Sequence, residues 1–153
     1  MSSQPPDSQA QIQPATWRDL NSLRHIEKVC FPKDAWPLWD LIGVLTLPDV
    51  IRLKAVCEDK MIGFSAVDLR PSEQTAWIAT IGVLPEYRGR GIGRQLLQAS
   101  EEAVTLRSIR LNVRPTNYVA LQLYQDFGYQ KIGLWTAYYS DGEDALVMEK
   151  LRK

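Results

Sequence analysis

The stretch Val83-Leu84-Pro85-Glu86-Tyr87-Arg88-Gly89-Arg90-Gly91-Ile92-Gly93 holds the residue types and spacing in this chain most able to do chemistry. An apolar run ends at Val83, Pro85 and Glu86 turn the chain, and three alternating glycines lead into an amphipathic helix. Glycine has no Cβ, so its amide N–H can come close to a ligand and its backbone can adopt conformations closed to other residues. The start of a helix adds free N–H donors and the positive end of the helix dipole. Arg88 and Arg90 add charge, and the whole makes a phosphate cradle. Two familiar nucleotide patterns fail. In GxGxxG terms, Arg94 stands three residues after Gly91 and Leu96 three after Gly93, and GxxxxGK[ST] is absent. A glycine turn that only joined strand to helix would need neither three glycines nor two arginines.

The elements that must position this loop follow from periodicity. Gln11 to Pro14 suits a short strand. Thr16 and Asp19 form a variant capping box that opens a helix to about Cys30, with Leu20, Leu23, Ile26 and Val29 on one face. Phe31-Pro32 ends it. A second short helix is predicted over Leu38 to Thr46, stopped by Pro48. Ile51 to Glu58 and Met61 to Leu69 alternate as strands around an Asp59-Lys60 hairpin that lacks the favoured glycine. Thr75 to Val83 is a central strand, Ile92 to Leu106 a long helix, Ser108 to Val113 a strand, and Asn117 to about Phe127 a helix ended by Gly128. Two last strands, near Gln130 to Tyr139 and Ala145 to Lys150, flank Ser140 to Asp144. This order predicts one α/β domain with a mixed sheet.

Composition bounds the rest. The 153 residues suffice for one domain with a sizeable core. At 45% hydrophobic and 24% charged they describe a soluble globular protein. Eighteen basic residues balance eighteen acidic ones, so no global field draws nucleic acid or an anionic membrane, and neither is an expected partner. Two cysteines and one histidine give neither a disulfide framework nor a metal site, and a reducing cytoplasm fits. Residues 1–10 carry no signal-peptide pattern and are expected to form a disordered tail, leaving 11–153 as the domain. No window approaches the length of a membrane span.

Arg88-x-x-Gly91-x-Gly93 resembles the [RQ]-x-x-G-x-[GA] signature of the GNAT superfamily of N-acetyltransferases. Asn112-Val113-Arg114-Pro115-Thr116-Asn117, with Leu123-Tyr124 and Phe127-Gly128-Tyr129, is similar to that family's second cofactor segment. The resemblance covers roughly Gln11 to Lys150. It implies a mixed, mostly antiparallel central sheet flanked by helices, with acetyl-CoA as co-substrate and no metal. The implied cofactor contacts are Ile81, Gly82, Val83, Arg88, Gly89, Arg90, Gly91, Ile92, Gly93, Arg94, Asn117 and Tyr124. Within the superfamily, Tyr138-Tyr139-Ser140-Asp141-Gly142-Glu143-Asp144-Ala145 resembles protein N-terminal acetyltransferases, including ribosomal-protein alanine acetyltransferases. There the paired tyrosines and a loop similar to Phe31-Pro32-Lys33-Asp34-Ala35-Trp36 hold the substrate N-terminus. This implies acceptor contacts at Phe31, Asp34, Trp36, Tyr138 and Tyr139.

The same resemblance implies that the end of the strand, Ile81 to Val83, offers backbone N–H groups, with Val83 the main donor to the acetyl oxygen. Tyr124 is the implied general acid. A phenol of pKa about 10 stays protonated at neutral pH and can donate to a thiolate of pKa near 8.5. The chain departs from the family pattern at Asn112, where the bacterial alanine acetyltransferases carry a basic glutamate. Two expectations remain for the base: Asp34 acting through water, or ordered water that delivers the proton outward. A site without a strong base suits a peptide α-amine, of pKa about 7.7–8.0, better than a lysine side chain, whose deprotonation costs on the order of 3.5 kcal/mol more. Three readings follow. The chain acetylates peptide or protein N-termini, or a small amine such as a polyamine or an antibiotic, or it is a silent acetyl-CoA-binding regulator.

Overall fold

The computed structural model describes residues 9–152. Of the tail expected over residues 1–10, residues 1–8 lie outside the described residues; Ala10 packs against the core. The strands are β1 (Gln11–Pro14), β2 (Val50–Cys57), β3 (Lys60–Arg70), β4 (Thr75–Val83), β5 (Ser108–Val113), β6 (Gln130–Trp135) and β7 (Ala145–Leu151). The helices are α1 (Leu20–Cys30), α2 (Leu38–Thr46), α3 (Ile92–Ala103) and α4 (Tyr118–Asp126). The sheet runs β1-β2-β3-β4-β5-β7-β6, and every neighbouring pair is antiparallel except β4 with β5. The expected mixed, mostly antiparallel sheet flanked by helices is therefore present. Among the described residues no helix is long and apolar enough to cross a membrane.

Alternation along the strands sorts the helices onto two faces. On β3, a Cβ at Gly63 would lie 3.1 Å from Leu96, and Ser65 Oγ stands 2.8 Å from Ser100 Oγ, so these positions face α3. On β4, a Cβ at Gly82 would meet Phe31 at 3.2 Å and Cys30 at 3.4 Å, so Gly82 faces the end of α1. α4 lies on the α3 side, where Tyr124 and Leu97 share a core cluster. α1 buries Leu23 and Ile26 as its spacing predicts, whereas Val29, expected on the same face, is exposed; its Thr16/Asp19 capping box is formed through one 3-10 turn, Trp17–Asp19.

Three boundaries differ from the sequence reading. The β2–β3 turn is Glu58-Asp59 rather than Asp59-Lys60, with both residues at positive φ (51° and 63°), so the two-residue mirror-image turn forms without glycine. α3 stops at Ala103 because Val104 turns extended and is 1% exposed, drawn into the core. β6 ends at Trp135, and Ala137 at φ 50° begins the reversal, so Tyr138 and Tyr139 stand on a loop and not on a strand.

The left-handed Glu58 carries conformational strain that a better turn former would relieve. The double substitution Glu58→Asn, Asp59→Gly should therefore stabilise the fold by about 1 kcal/mol. Thermal unfolding should show Tm higher by roughly 2–4 °C; an unchanged or lower Tm would contradict this account of the turn.

Candidate active site

The site begins with a strand pair that comes apart. β4 and β5 pair only at Thr75–Trp77 with Ser108–Arg110; from Ile78 and Leu111 onward they diverge. Ala79 is left out of the β3–β4 register as a bulge, which adds twist where the divergence starts. Leu84 N donates to Ile62 O at 2.8 Å, so by antiparallel alternation the N–H groups of Val83 and Ile81 turn away from β3 and toward the gap. The Val83 carbonyl on that side accepts from Arg88 Nε at 2.9 Å and Cys30 Sγ at 3.3 Å. Arg88 thus ties the strand end to the loop that follows.

The gap widens into a cleft of about 1050 Å³, at the upper end of what small-ligand sites offer. At one end lies the loop from Arg88 to Gly93. Gly89 and Gly91 both sit at φ 80°, and a Cβ on either would meet nothing within 4 Å, so the backbone is bared toward open space. Gly91 is the N-cap of α3. Ile92 and Gly93 also line the cleft, as do Ile81, Gly82, Val83, Asn117 and Tyr124. Asn117 caps α4, its Oδ1 accepting from Ala120 N at 3.2 Å. Arg90 and Arg94 are not among the lining residues. Arg90 stacks over Tyr87, and Arg94 pairs with Asp126 and covers Phe127, fastening α3 to α4.

Tyr124 reaches the cleft from the α4 side, 6% exposed, its ring edge-on to Tyr129. Burial, then the neighbouring Tyr139, pushes its phenol well above the ordinary range, so it stays protonated across neutral pH.

The opposite, α1 side holds the other sequence-singled residues. Phe31, Asp34, Trp36, Tyr138 and Tyr139 all line this mouth. Its two loops are bound together by Arg114. The guanidinium makes paired bonds to Asp34 (2.8 Å to each oxygen), meets Asp141 and Glu143 at 2.8–3.0 Å, and lies 4.0 Å from the Tyr139 ring centroid. Asp34 therefore does not present the free carboxylate expected of a base; its place is structural, 80 residues from its partner. A relay of rings, Trp77 to Trp135 to Tyr138 to Tyr139, anchors the tyrosine loop to β4. Asn112 Nδ2 donates to the Tyr139 hydroxyl at 3.3 Å.

Comparison with known proteins agrees with this geometry. The profile of the Acetyltransferase (GNAT) family matches residues 17–129. The chain belongs to this family. It is 37% identical over 151 residues to an N-alpha-acetyltransferase of Sulfurisphaera tokodaii, covering 90% of each chain. To the N-alpha-acetyltransferase RimI of Mycobacterium tuberculosis it is 43% identical over 120 residues, 76% of each. The crystal structure of the ribosomal-protein-S18-alanine N-acetyltransferase from Escherichia coli shares the fold, with TM-score 0.85 at 24% identity and 94% of both chains covered.

The protein is an acetyltransferase. GNAT enzymes use acetyl-CoA, and the residues present fit such a group. Two glycines leave vacant the space a side chain would fill at a helix N-terminus, as a pyrophosphate requires. Backbone N–H groups face the gap in which a thioester would lie.

One functional group of this acetyltransferase escaped the sequence reading. Glu27, on α1, lines the cleft while 3% exposed, and its carboxylate accepts from Thr80 Oγ1 at 3.2 Å. Burial raises its pKa from 4.5 to about 7, with the Thr80 bond opposing. Between those values the folded chain holds a proton that the unfolded chain releases. Glu27's contribution to stability is thus full below about pH 4.5 and lost as pH rises to about 7. Glu27→Gln should flatten this dependence, so that its stability relative to the parent rises by on the order of 3 kcal/mol between pH 4.5 and pH values above 7. Urea unfolding across pH 4.5–8 checks it; parallel stability curves for the two proteins would contradict it.

Proposed function

We propose that this enzyme transfers the acetyl group of acetyl-CoA to the α-amine of a peptide or protein N-terminus, in the cytoplasm. The observation carrying this reading is the cleft between β4 and β5, which joins the glycine cradle on the α3 side to the tyrosine-walled mouth on the α1 side. N-alpha-acetyltransferases among the relatives support it. A peptide groove needs amphipathic walls, and Tyr138, Tyr139 and Trp36 supply them.

Acetyl-CoA supplies an activated acyl group as a thioester. The amides of Gly89, Gly91, Ile92 and Gly93 would hold its pyrophosphate, assisted by Arg88, with Asn117 at the start of α4 alongside. Val83 N–H, turned to the gap, is placed to donate to an oxygen that gains charge as the carbonyl is attacked; removing one such donor typically costs 10²–10³ in rate. Gly82 matters for the same alignment, because a side chain there would crowd Phe31 and Cys30, which would have to give by a few tenths of an ångström. Tyr124 O–H would protonate the departing sulfur. Its raised pKa weakens it as an acid, but the low-dielectric cleft raises the thiol's pKa in the same direction.

A polycationic small amine is less well served. Asp34, Asp141 and Glu143 do converge at the acceptor mouth, yet Arg114 and Lys33 neutralise most of that charge. The deciding assay offers acetyl-CoA with peptides bearing a free α-amine, with N-terminally blocked peptides containing lysine, and with polyamines. Turnover is expected on the free α-amines. Turnover confined to lysine side chains or polyamines would overturn the reading, and acetyl-CoA binding without any turnover would favour a silent regulator. Within the same assay Tyr124→Phe should lower kcat by roughly 10²-fold. Calorimetric acetyl-CoA affinity should stay within about twofold; equal losses in both would make Tyr124 a packing residue.

A further inference from the structure

Two carboxylates, Glu27 and Asp34, line the cleft. Asp34 is bound through both oxygens to Arg114. Asn112 carries no basic atom and gives its N–H to Tyr139. The Cys30 thiol donates to Val83 O, and burial pushes its pKa up. Burial also raises Tyr139. Lys33 is 71% exposed and turned to Asp141. Glu27 remains: an acid within the cleft, on the acceptor face, with no guanidinium or ammonium paired to it among the described residues.

We propose that Glu27 is the proton acceptor of the reaction, taking through an intervening water the proton that the acceptor α-ammonium must lose; the proposal rests on the N-terminal acetyltransferase reading. α1 sets Glu27 beside β4, and Thr80 Oγ1 fixes the carboxylate just before Ile81 to Val83, where the strand faces the gap. Thr80 and Gly82 share the face of β4 that meets α1, so the carboxylate lies on the side of Tyr138 and Tyr139 and opposite Tyr124. Acid and base then stand on opposite faces of the sheet and meet only through the splay.

An α-ammonium gives up two protons on becoming an amide. Glu27 takes the first, leaving the neutral amine. The nitrogen bonds to the acetyl carbonyl carbon as the carbon–sulfur bond breaks, and Tyr124 gives its proton to the sulfur. The nitrogen's second proton restores Tyr124, and Glu27 releases its own to water. Glu27's surroundings suit this task. The core cluster that α1 enters through Leu23 and Ile26 receives Leu41 and Leu45 from α2 and Phe64 and Ala66 from β3, all uncharged. Thr80 is its polar partner on β4, and Cys30 is the titratable group in electrostatic reach. At about 7, its pKa lies within about one unit of an α-amine and over three below a lysine, so proton transfer from an N-terminus is nearly balanced.

The test compares the parent enzyme, Glu27→Gln and Thr80→Val on a peptide with a free α-amine, at saturating acetyl-CoA, between pH 5.5 and 9. The parent kcat should rise through a limb near pH 7. Glu27→Gln should lose that limb and fall on the order of 10²-fold or more, with calorimetric acetyl-CoA affinity unchanged. Thr80→Val, which removes the bond that favours the carboxylate, should keep the limb and move it to higher pH. Carbon-13 NMR of the ligand-free protein, with labelled glutamate, should show one carboxyl titrating near pH 7 in the parent and absent from Glu27→Gln. An active parent whose kcat and limb survive in Glu27→Gln overturns the proposal alone. So does a variant that loses acetyl-CoA affinity as much as kcat. A parent inactive on every free α-amine overturns the functional reading and this proposal with it.

Discussion

The separation of β4 from β5 after three residue pairs is the constraint on which the rest of the molecule depends. A complete parallel ladder there would satisfy the backbone groups of both strands and close the sheet. Instead the N–H groups of Ile81 and Val83 face a gap, an arrangement that is costly in a dry core and useful only where a ligand supplies the acceptor. Several features hold the strands apart. Ala79 bulges, Pro85 ends the strand, and Arg88 and Cys30 occupy the Val83 carbonyl.

Because the gap passes through the sheet, it joins two half-sites built independently. The α3 face holds the glycine cradle and Tyr124; the α1 face holds Glu27 and the aromatic mouth. Arg114 organises the second half. A single guanidinium bound to Asp34, Asp141 and Glu143 orders two loops that share no secondary structure, and it lies over Tyr139. Burial of such a network adds little net stability, so its value lies in fixing the geometry of the acceptor mouth.

Much of this could be read from the residues. The stretch Arg88 to Gly93 announced a cradle because alternating glycines at a strand–helix junction have few other uses, and Gly89 and Gly91 there both adopt positive φ. Strands Thr75–Val83 and Ser108–Val113 and helix Leu38–Thr46 were bounded by residues whose local preferences agree with the tertiary fold. The splay was not legible, since the apolar residues of a separated strand end look like those of a paired one. Glu27 was hidden for a related reason. Beside Ile26 it reads as a polar neighbour of a helix's apolar stripe, and only Thr80, 53 residues on, makes it a buried acid. Asp34 erred the other way: an acid on a loop reads as available until Arg114 is brought to it. β-propensity extends the strand through Tyr138 and Tyr139, because it carries no sign of the left-handed turn at Ala137.

The claim that acetyl-CoA and a peptide meet through the splayed strands is tested most directly by a crystal structure with a bisubstrate analogue, a peptide N-terminus joined covalently to coenzyme A. The pyrophosphate is expected against the amides of Gly89 to Gly93, the carbonyl oxygen within hydrogen-bond distance of Val83 N–H, and the peptide between Phe31, Tyr138 and Tyr139. A ligand that binds with its carbonyl out of reach of Val83, or with its peptide on the α3 face, would contradict it.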